Sequence, residues 1–114
     1  MNSKVVVFIE SNPIESHRPS EGIRIALGLA ACNHSVDIIL VNQAIFLLTA
    51  IENIIDNETI QRYLSELKES IPAFFIYKES IEENNHIMPE YNAIYLSRDE
   101  MAKKIATATC FIKF

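Results

Sequence analysis

The chain has 114 residues, of which 49% are hydrophobic and 22% are charged, and it contains 2 glycines. A chain of this length and composition folds as one globular domain with its own core, which argues against a disordered polypeptide. The formal net charge of -5, without any cluster of Lys and Arg, argues against a nucleic-acid backbone as the main partner.

Neither a membrane segment nor a disulfide scaffold is expected. The longest apolar stretch, residues 44–51, is far shorter than the ~20 residues that span a bilayer. The apolar run at residues 5–9 is too brief for a signal peptide. The two cysteines, Cys32 and Cys110, show no CxxC spacing. We therefore expect a cytoplasmic protein with one domain over residues 1–114, no membrane partner and no cofactor.

Residues 5–9 form the first predicted strand, because their continuous β-branched run is typical of a parallel strand covered on both faces. A polar loop follows as far as Ser20, which we expect to cap a helix with one apolar stripe. Gly28 lies inside this helix, where a close approach of the helix to the sheet would explain it. Residues 36–41 form the second predicted strand.

The next predicted helix, over residues 44–55, is apolar almost all round, whereas a helix that covers one face of a sheet needs a single stripe. One interpretation is deep burial beneath the following helix, predicted over residues 59–70. The other, which we favour, is a subunit interface. Its residues would be Ile45, Phe46, Leu47, Leu48 and Ile51.

Pro72 ends the helix before the third strand, predicted over residues 73–77. A short polar helix over residues 80–84 and a fourth strand over residues 93–96 follow. Ser97 and Glu100 match a capping box, which opens a helix, and residues 110–114 form the last strand. Strands that alternate with helices predict a three-layer α/β/α sandwich on a five-stranded parallel sheet.

Three segments carry a resemblance to a known family, namely "VNQAIFLLTA", "LSRDEMAKKI" and "ATATCFIKF". They are similar to the apolar helix, the late capped helix and the closing strand of the DsrE/DsrF-like family, which includes the Tus sulfur-relay proteins. The resemblance covers essentially the whole chain. It implies a five-stranded parallel sheet and assembly into trimers or hexamers.

The resemblance also implies where chemistry would occur. Catalytic members of the family carry a persulfide-forming cysteine in the turn after the third strand, where this chain has Tyr77, Lys78 and Glu79. Persulfide transfer needs a thiolate, so no catalytic residue is expected here. The chain resembles the cysteine-poor companion subunits. We expect a non-catalytic homo-oligomer, a trimer or hexamer, that binds a sulfur-relay protein or a small ligand.

One alternative is a sulfurtransferase whose relay cysteine has moved to Cys110 or Cys32. Against it, a cysteine in the last strand is expected to pack in the core as a small apolar residue. Cys32 is expected at a helix C-terminus, where the helix dipole disfavours a thiolate. Both thiols are therefore expected to be unreactive.

Another alternative is a small-anion or nucleotide binder at the carboxyl edge of the sheet, where a helix start offers free N–H groups. Its predicted residues are His17, Arg18, Ser20, Asn42, Tyr77 and Lys78. A solvated loop edge would have the same composition. The loop lacks the glycine-rich phosphate fingerprint, and His34 and His86 show no metal-ligand spacing, so we predict no metal site.

Overall fold

The computed structural model describes residues 4–82 and 85–114. Five strands form one sheet in which every pairing is parallel, in the order β4-β3-β2-β1-β5. The strands are β1 (Lys4–Ile9), β2 (Ser35–Leu40), β3 (Phe74–Tyr77), β4 (Ala93–Leu96) and β5 (Cys110–Lys113). The predicted five-stranded parallel sheet is therefore confirmed.

The continuous apolar run of β1 follows from its central position. Val5, Val7 and Ile9 belong to the larger core, on the face that also receives Phe114, whereas Val6 belongs to a smaller core on the opposite face. Side chains alternate along a strand, so a strand covered on both sides needs apolar residues at every position.

Helices α1 (Arg18–Ala31) and α2 (Asn57–Ser70) cover the larger core. Each contributes an apolar stripe to it. The stripe of α1 includes Ile23 and Ala26, and that of α2 includes Ile60, Leu64 and Leu67. Helix α3 (Arg98–Ala106) lies on the other face, which completes the three layers.

Helix α3 has the predicted start but no fully buried residue. The side chain of Ser97 accepts the backbone N–H of Glu100, and the carboxylate of Glu100 accepts the N–H of Ser97. Met101 and Ile105 are half-buried against the smaller core. Only one short helix therefore covers this face among the residues that the structure describes.

The predicted helix over residues 44–55 is wrong. A 3-10 helix spans Asn42–Leu48, and the chain then turns until α2 begins. The backbone N–H of Ile55 donates to the carbonyl of Pro13, and Asp56 has a left-handed φ of 61°. The segment forms a 3-10 helix and then continues without helical structure, so its apolar residues do not lie around one α-helix. They pack at the end of the core instead.

This segment is buried within a single chain, so its apolar character no longer indicates a subunit interface. Ile45, Leu47 and Leu48 are 2%, 0% and 0% exposed within a single chain. Phe46 and Ile51 are half-buried and pack against the same core. A charged side chain at Leu47 would therefore act on folding rather than on assembly.

Two expectations for the first helix are also corrected. Helix α1 begins at Arg18 rather than at Ser20, because Pro19 fits the first turn and fixes its φ. Gly28 is exposed, and a Cβ added there would meet no heavy atom of the described residues within 4 Å beyond its chain neighbours and the backbone of its own helix. The close approach occurs at Gly22, where a Cβ would lie 3.0 Å from side-chain atoms of Ile9 and Phe114.

The short polar helix predicted over residues 80–84 has a different form. A 3-10 turn spans Lys78–Ser80, and the chain is not helical at Ile81 and Glu82. The last two residues of the prediction, 83 and 84, lie outside the described residues.

Candidate functional site

The carboxyl ends of β3 and β4 are the point where the chain leaves the sheet in two directions. After β3, residues Ile81, Ile87 and Met88 of the connection pack against the larger core. After β4, the chain enters α3 on the opposite face. Neighbouring parallel strands whose connections part in this way leave a crevice at their carboxyl ends, which is where open α/β sheets bind ligands.

A cleft of about 570 Å³ lies at this point. It is lined by Lys78, Ile81, Tyr95, Ser97 and Glu100. Its volume is within the range of small-molecule sites, and its lining joins an apolar surface to a few polar groups. This cleft is the candidate functional site.

The capping box of α3 sets the charge on one side of the cleft. The N–H of Ser97 lies 2.9 Å from the Glu100 carboxylate. This bond is the main reason that the pKa of Glu100 is lowered, with smaller contributions from the Ser97 hydroxyl and from the ammonium groups of Lys103 and Lys78. Glu100 is thus a fixed carboxylate at neutral pH and not a proton donor.

Lys78 provides the positive charge on the other side. It is exposed at the start of the 3-10 turn and forms no ion pair with any residue of the described ranges. The neighbouring Tyr77 hydroxyl donates to the Glu79 carboxylate, which is the main cause of a raised pKa for Tyr77. Tyr77 therefore stays protonated. The Glu79 carboxylate is bonded to Tyr77 and not paired with Lys78, so the Lys78 ammonium can attract an anionic group.

A second, smaller cleft of about 190 Å³ lies on the other side of the same turn, between the two 3-10 helices. Asn42 opens it with a left-handed φ of 53°, a conformation that asparagine tolerates better than most residues. The backbone N–H of Asn42 donates to the Ser80 hydroxyl at 2.8 Å. This bond fixes the turn that carries Lys78 to the end of β2.

The structure brings only part of the predicted anion site together. Asn42, Tyr77 and Lys78 lie at the ends of the neighbouring strands β2 and β3. Arg18 instead donates to the carbonyl oxygen of Lys113 at the end of β5. Since β5 and β3 are three strand positions apart, about 14 Å at the usual spacing, Arg18 and Lys78 do not meet at one anion.

His17 and Ser20 do not reach the cleft either. The Nδ1 atom of His17 lies 3.1 Å from a carboxylate oxygen of Asp56, in the turn before α2. Ser20 lies inside the first turn of α1 and does not cap it. Both residues belong to the α1 side of the sheet.

The expectation that Cys110 packs in the core is wrong. Cys110 and Cys32 are both free and exposed. Cys110 begins β5, an outer strand that pairs with β1 alone among the strands of the described residues, so no second strand of those ranges covers it. Cys32 follows the end of α1, as predicted. Both thiols lie at the amino edge of the sheet, opposite the cleft.

Four residues of the cleft were missing from the predicted site, namely Ile81, Tyr95, Ser97 and Glu100. Glu100 carried a signal, because a capping box directly after a strand places its residues at the carboxyl edge. Tyr95 carried none, since its place in the cleft depends on β4 being the neighbour of β3.

Within residues 4–82 and 85–114, no group of three or more His, Cys, Asp or Glu side chains is arranged to hold a metal ion. In the same ranges, no helix has the length and apolar character needed to cross a membrane.

The fold and the cleft define a three-layer α/β protein. Its candidate site lies at the topological switch point of a parallel sheet, where the connections after β3 and β4 leave on opposite faces. The model of the DsrE/DsrF-like family matches residues 3–114, and the chain belongs to that family. Membership points to a function related to sulfur relay.

One solved structure with the same fold is the YchN protein from E. coli, with a TM-score of 0.79. The match covers 100% of both chains at 16% sequence identity, so it supports the fold alone. A search among curated proteins found no match.

Proposed function

We propose that this protein is a non-catalytic, oligomeric DsrE-like subunit of sulfur metabolism in the cytoplasm. It would bind a sulfur-relay protein or a small ligand at the cleft beside Lys78. The supporting observation is the turn after β3, which carries Lys78, Glu79 and Ser80 at the switch point of the sheet. An ammonium group can hold an anion but cannot carry sulfane sulfur, which needs a thiolate.

The positions of the two thiols support the same proposal. Cys110 is the first residue of β5 and pairs with Val5, and Cys32 follows the last turn of α1, so both are at the amino edge. A sulfur atom bound there would be separated from the cleft by the length of the strands. A strand of 4 residues, such as β3, spans about 13 Å.

The exposure of both cysteines favours one rival function, a sulfurtransferase with a relocated cysteine. An accessible thiol can attack a sulfane donor, whereas a packed thiol cannot. Exposure alone gives slow, unselective chemistry. A relay cysteine should instead react and transfer faster than the same thiol in an unfolded chain.

The deciding experiment measures sulfur transfer rather than sulfur uptake. The protein is loaded with polysulfide, freed of the donor and mixed with an acceptor thiol, and the loss of sulfur is followed by intact mass. We expect the native chain to transfer no faster than the urea-unfolded chain. A fast transfer that disappears in Cys110→Ala or in Cys32→Ala alone would establish the relocated cysteine and refute the proposal.

The ligand side of the proposal is tested at Lys78. Small organic anions should raise the melting temperature of the wild type, and the effect should decrease with added salt because exposed charges are screened. Lys78→Met should lose the effect, whereas Arg18→Met should keep it. A response that depends on Arg18 and not on Lys78 would move the site to the other side of the sheet.

A further inference from the structure

The two outer strands of the sheet differ in how their open edges are protected. On β5, Lys113 is charged and lies 2.8 Å from Glu10, and Arg18 donates to the carbonyl oxygen of Lys113 at 3.0 Å. Such charges and hydrogen bonds block strand addition. On β4, the residues are Ala93, Ile94, Tyr95 and Leu96, without a charge, a proline or a glycine.

The side chains of β4 are exposed as well as uncharged. Ile94 is 43% exposed and Tyr95 is 47% exposed, on opposite faces of the strand. Its length of four residues limits pairing, but β4 lacks the charges and the proline that otherwise protect an edge, so its exposed apolar residues can pair with another strand. Among the described residues, β3 is its one neighbour in the sheet.

We infer that β4 is the contact between two copies of this chain, which pair antiparallel about a two-fold axis at Ile94. A two-fold axis perpendicular to the sheet leaves every side chain on its own face, and two residues that lie opposite each other in an antiparallel pair also share a face. The axis must therefore place a residue opposite its own copy and not opposite its neighbour in the sequence. The axis can therefore lie at Ile94 or at Tyr95. In the first case Ile94 meets its own copy, and Ala93 of each copy pairs with Tyr95 of the other.

Charge complementarity favours the axis at Ile94. Glu90 precedes β4 by three residues and Arg98 follows it by two, and both are exposed. Antiparallel pairing about Ile94 directs the turn with Glu90 towards Arg98 of the second copy. Pairing about Tyr95 would direct it towards Glu100 of the second copy, a repulsive arrangement.

This arrangement also bears on the cleft. Tyr95 and Ser97 form its β4 side, and the segment with Glu90 and Asn92 of the second copy would lie along its open side. The inference rests on the proposed oligomeric subunit and names its contact. A two-fold contact is compatible with a hexamer made of two trimers, and it is absent from an isolated trimer with three-fold symmetry.

The first test compares two matched variants by light scattering. Ile94→Lys should halve the molar mass of the wild type, because an ammonium group would lie at the axis. Phe111→Lys is the control, since Phe111 is also 43% exposed but lies on β5. Circular dichroism checks that both variants fold. A monomeric wild type at micromolar concentration, or an unchanged mass for Ile94→Lys, would overturn the inference.

The second test reads the register by disulfide trapping in a Cys32→Ala/Cys110→Ala background. At the axis, Ile94→Cys would place the Cα atoms of the two cysteines within the roughly 4.4–6.8 Å that a disulfide needs. Diamide would then oxidise the two thiols to a disulfide and give a covalent dimer. Tyr95→Cys should stay monomeric under denaturing conditions, since its opposite residue is Ala93. A dimer from Tyr95→Cys alone would refute the axis at Ile94.

The third test uses the end charges. Glu90→Arg and Arg98→Glu should each weaken the assembly, and the double variant should restore it. Failure of all three tests would leave the non-catalytic function standing, because the sulfur-transfer comparison depends on the cysteines and not on assembly.

Discussion

The ammonium group of Lys104 on α3 lies 3.1 Å from the carboxylate of Asp37 in the middle of β2. Asp37 is 5% exposed, and the same carboxylate oxygen lies 3.1 Å from the ammonium of Lys4. Lys104 also lies 4.0 Å from the centre of the Phe75 ring. These contacts hold α3 to a face where it buries no residue completely.

Asp37→Asn should therefore destabilise the protein and loosen α3. We expect the free energy of unfolding to decrease by about 2 kcal/mol, less than the ~3–5 kcal/mol of fully buried pairs, because both ammonium groups can turn towards water. Urea denaturation measures the loss, and hydrogen exchange should show faster amides in α3. Lys4→Met is the control and should cost under about 1 kcal/mol, since Lys4 is more exposed. Equal losses would contradict the prediction.

The two glycines of α1 should respond in opposite directions to alanine. Gly28→Ala should stabilise by about 0.5–1 kcal/mol, because the added methyl group meets nothing and alanine favours the helix. Gly22→Ala should destabilise, because overpacking against Ile9 and Phe114 costs about 1–3 kcal/mol. Denaturant midpoints measure both changes, and a stabilised Gly22→Ala variant would show that the core yields easily.

Glu100 should make stability depend on pH in a defined direction. Its pKa is lowered in the folded state, so its contribution is complete above the unfolded-state pKa, near 4.5, and is lost as the pH falls through the folded-state pKa. The melting temperature of the wild type should thus be higher than that of Glu100→Gln at pH 7, and the difference should disappear in acid. A constant difference across this range would indicate a role independent of charge.

Both cysteines should be accessible in the folded protein. Iodoacetamide should add two groups to the native chain, because Cys32 and Cys110 are exposed. Intact mass counts the adducts, and each single alanine variant should accept one. A thiol that reacts only after unfolding would contradict its exposed position.

A thiol at position 78 should gain the chemistry that the native residue lacks. In a Cys32→Ala/Cys110→Ala background, Lys78→Cys should accept sulfane sulfur, since it lies beside the N-terminus of α3, which favours a thiolate. Lys68→Cys is the matched control, because Lys68 is exposed in the last turn of α2. Mass spectrometry should show faster sulfur uptake at position 78, and equal rates would refute the effect of the site.

Much of the fold could be predicted from local signals. The apolar run of β1 indicates a central strand, and the Ser97–Glu100 capping box fixes the start of α3 within one residue. The 3-10 helix Asn42–Leu48 could not be predicted, because a short apolar segment has the same sequence pattern whether it forms a buried α-helix or a 3-10 helix at the end of the core.

The site was only partly predictable for a different reason. The sequence indicates that Lys78 and Asn42 follow strands, but the distance of Arg18 from Lys78 depends on strand order. The exposure of Cys110 depends on the same order, since the strand looks like a core strand and lies at the edge. Local patterns specify which residues end a strand, whereas long-range pairing decides which ends are neighbours.

The pairing of β1 with β5 has a consequence for the rate of folding. Val5 pairs with Cys110, and the backbone N–H of Lys4 donates to the Thr109 hydroxyl across 105 positions of the sequence. Closing so long a loop is entropically costly, and proteins with high contact order fold slowly. During synthesis, β1 must wait for the last strand, and until then its β5 edge stays available to other chains.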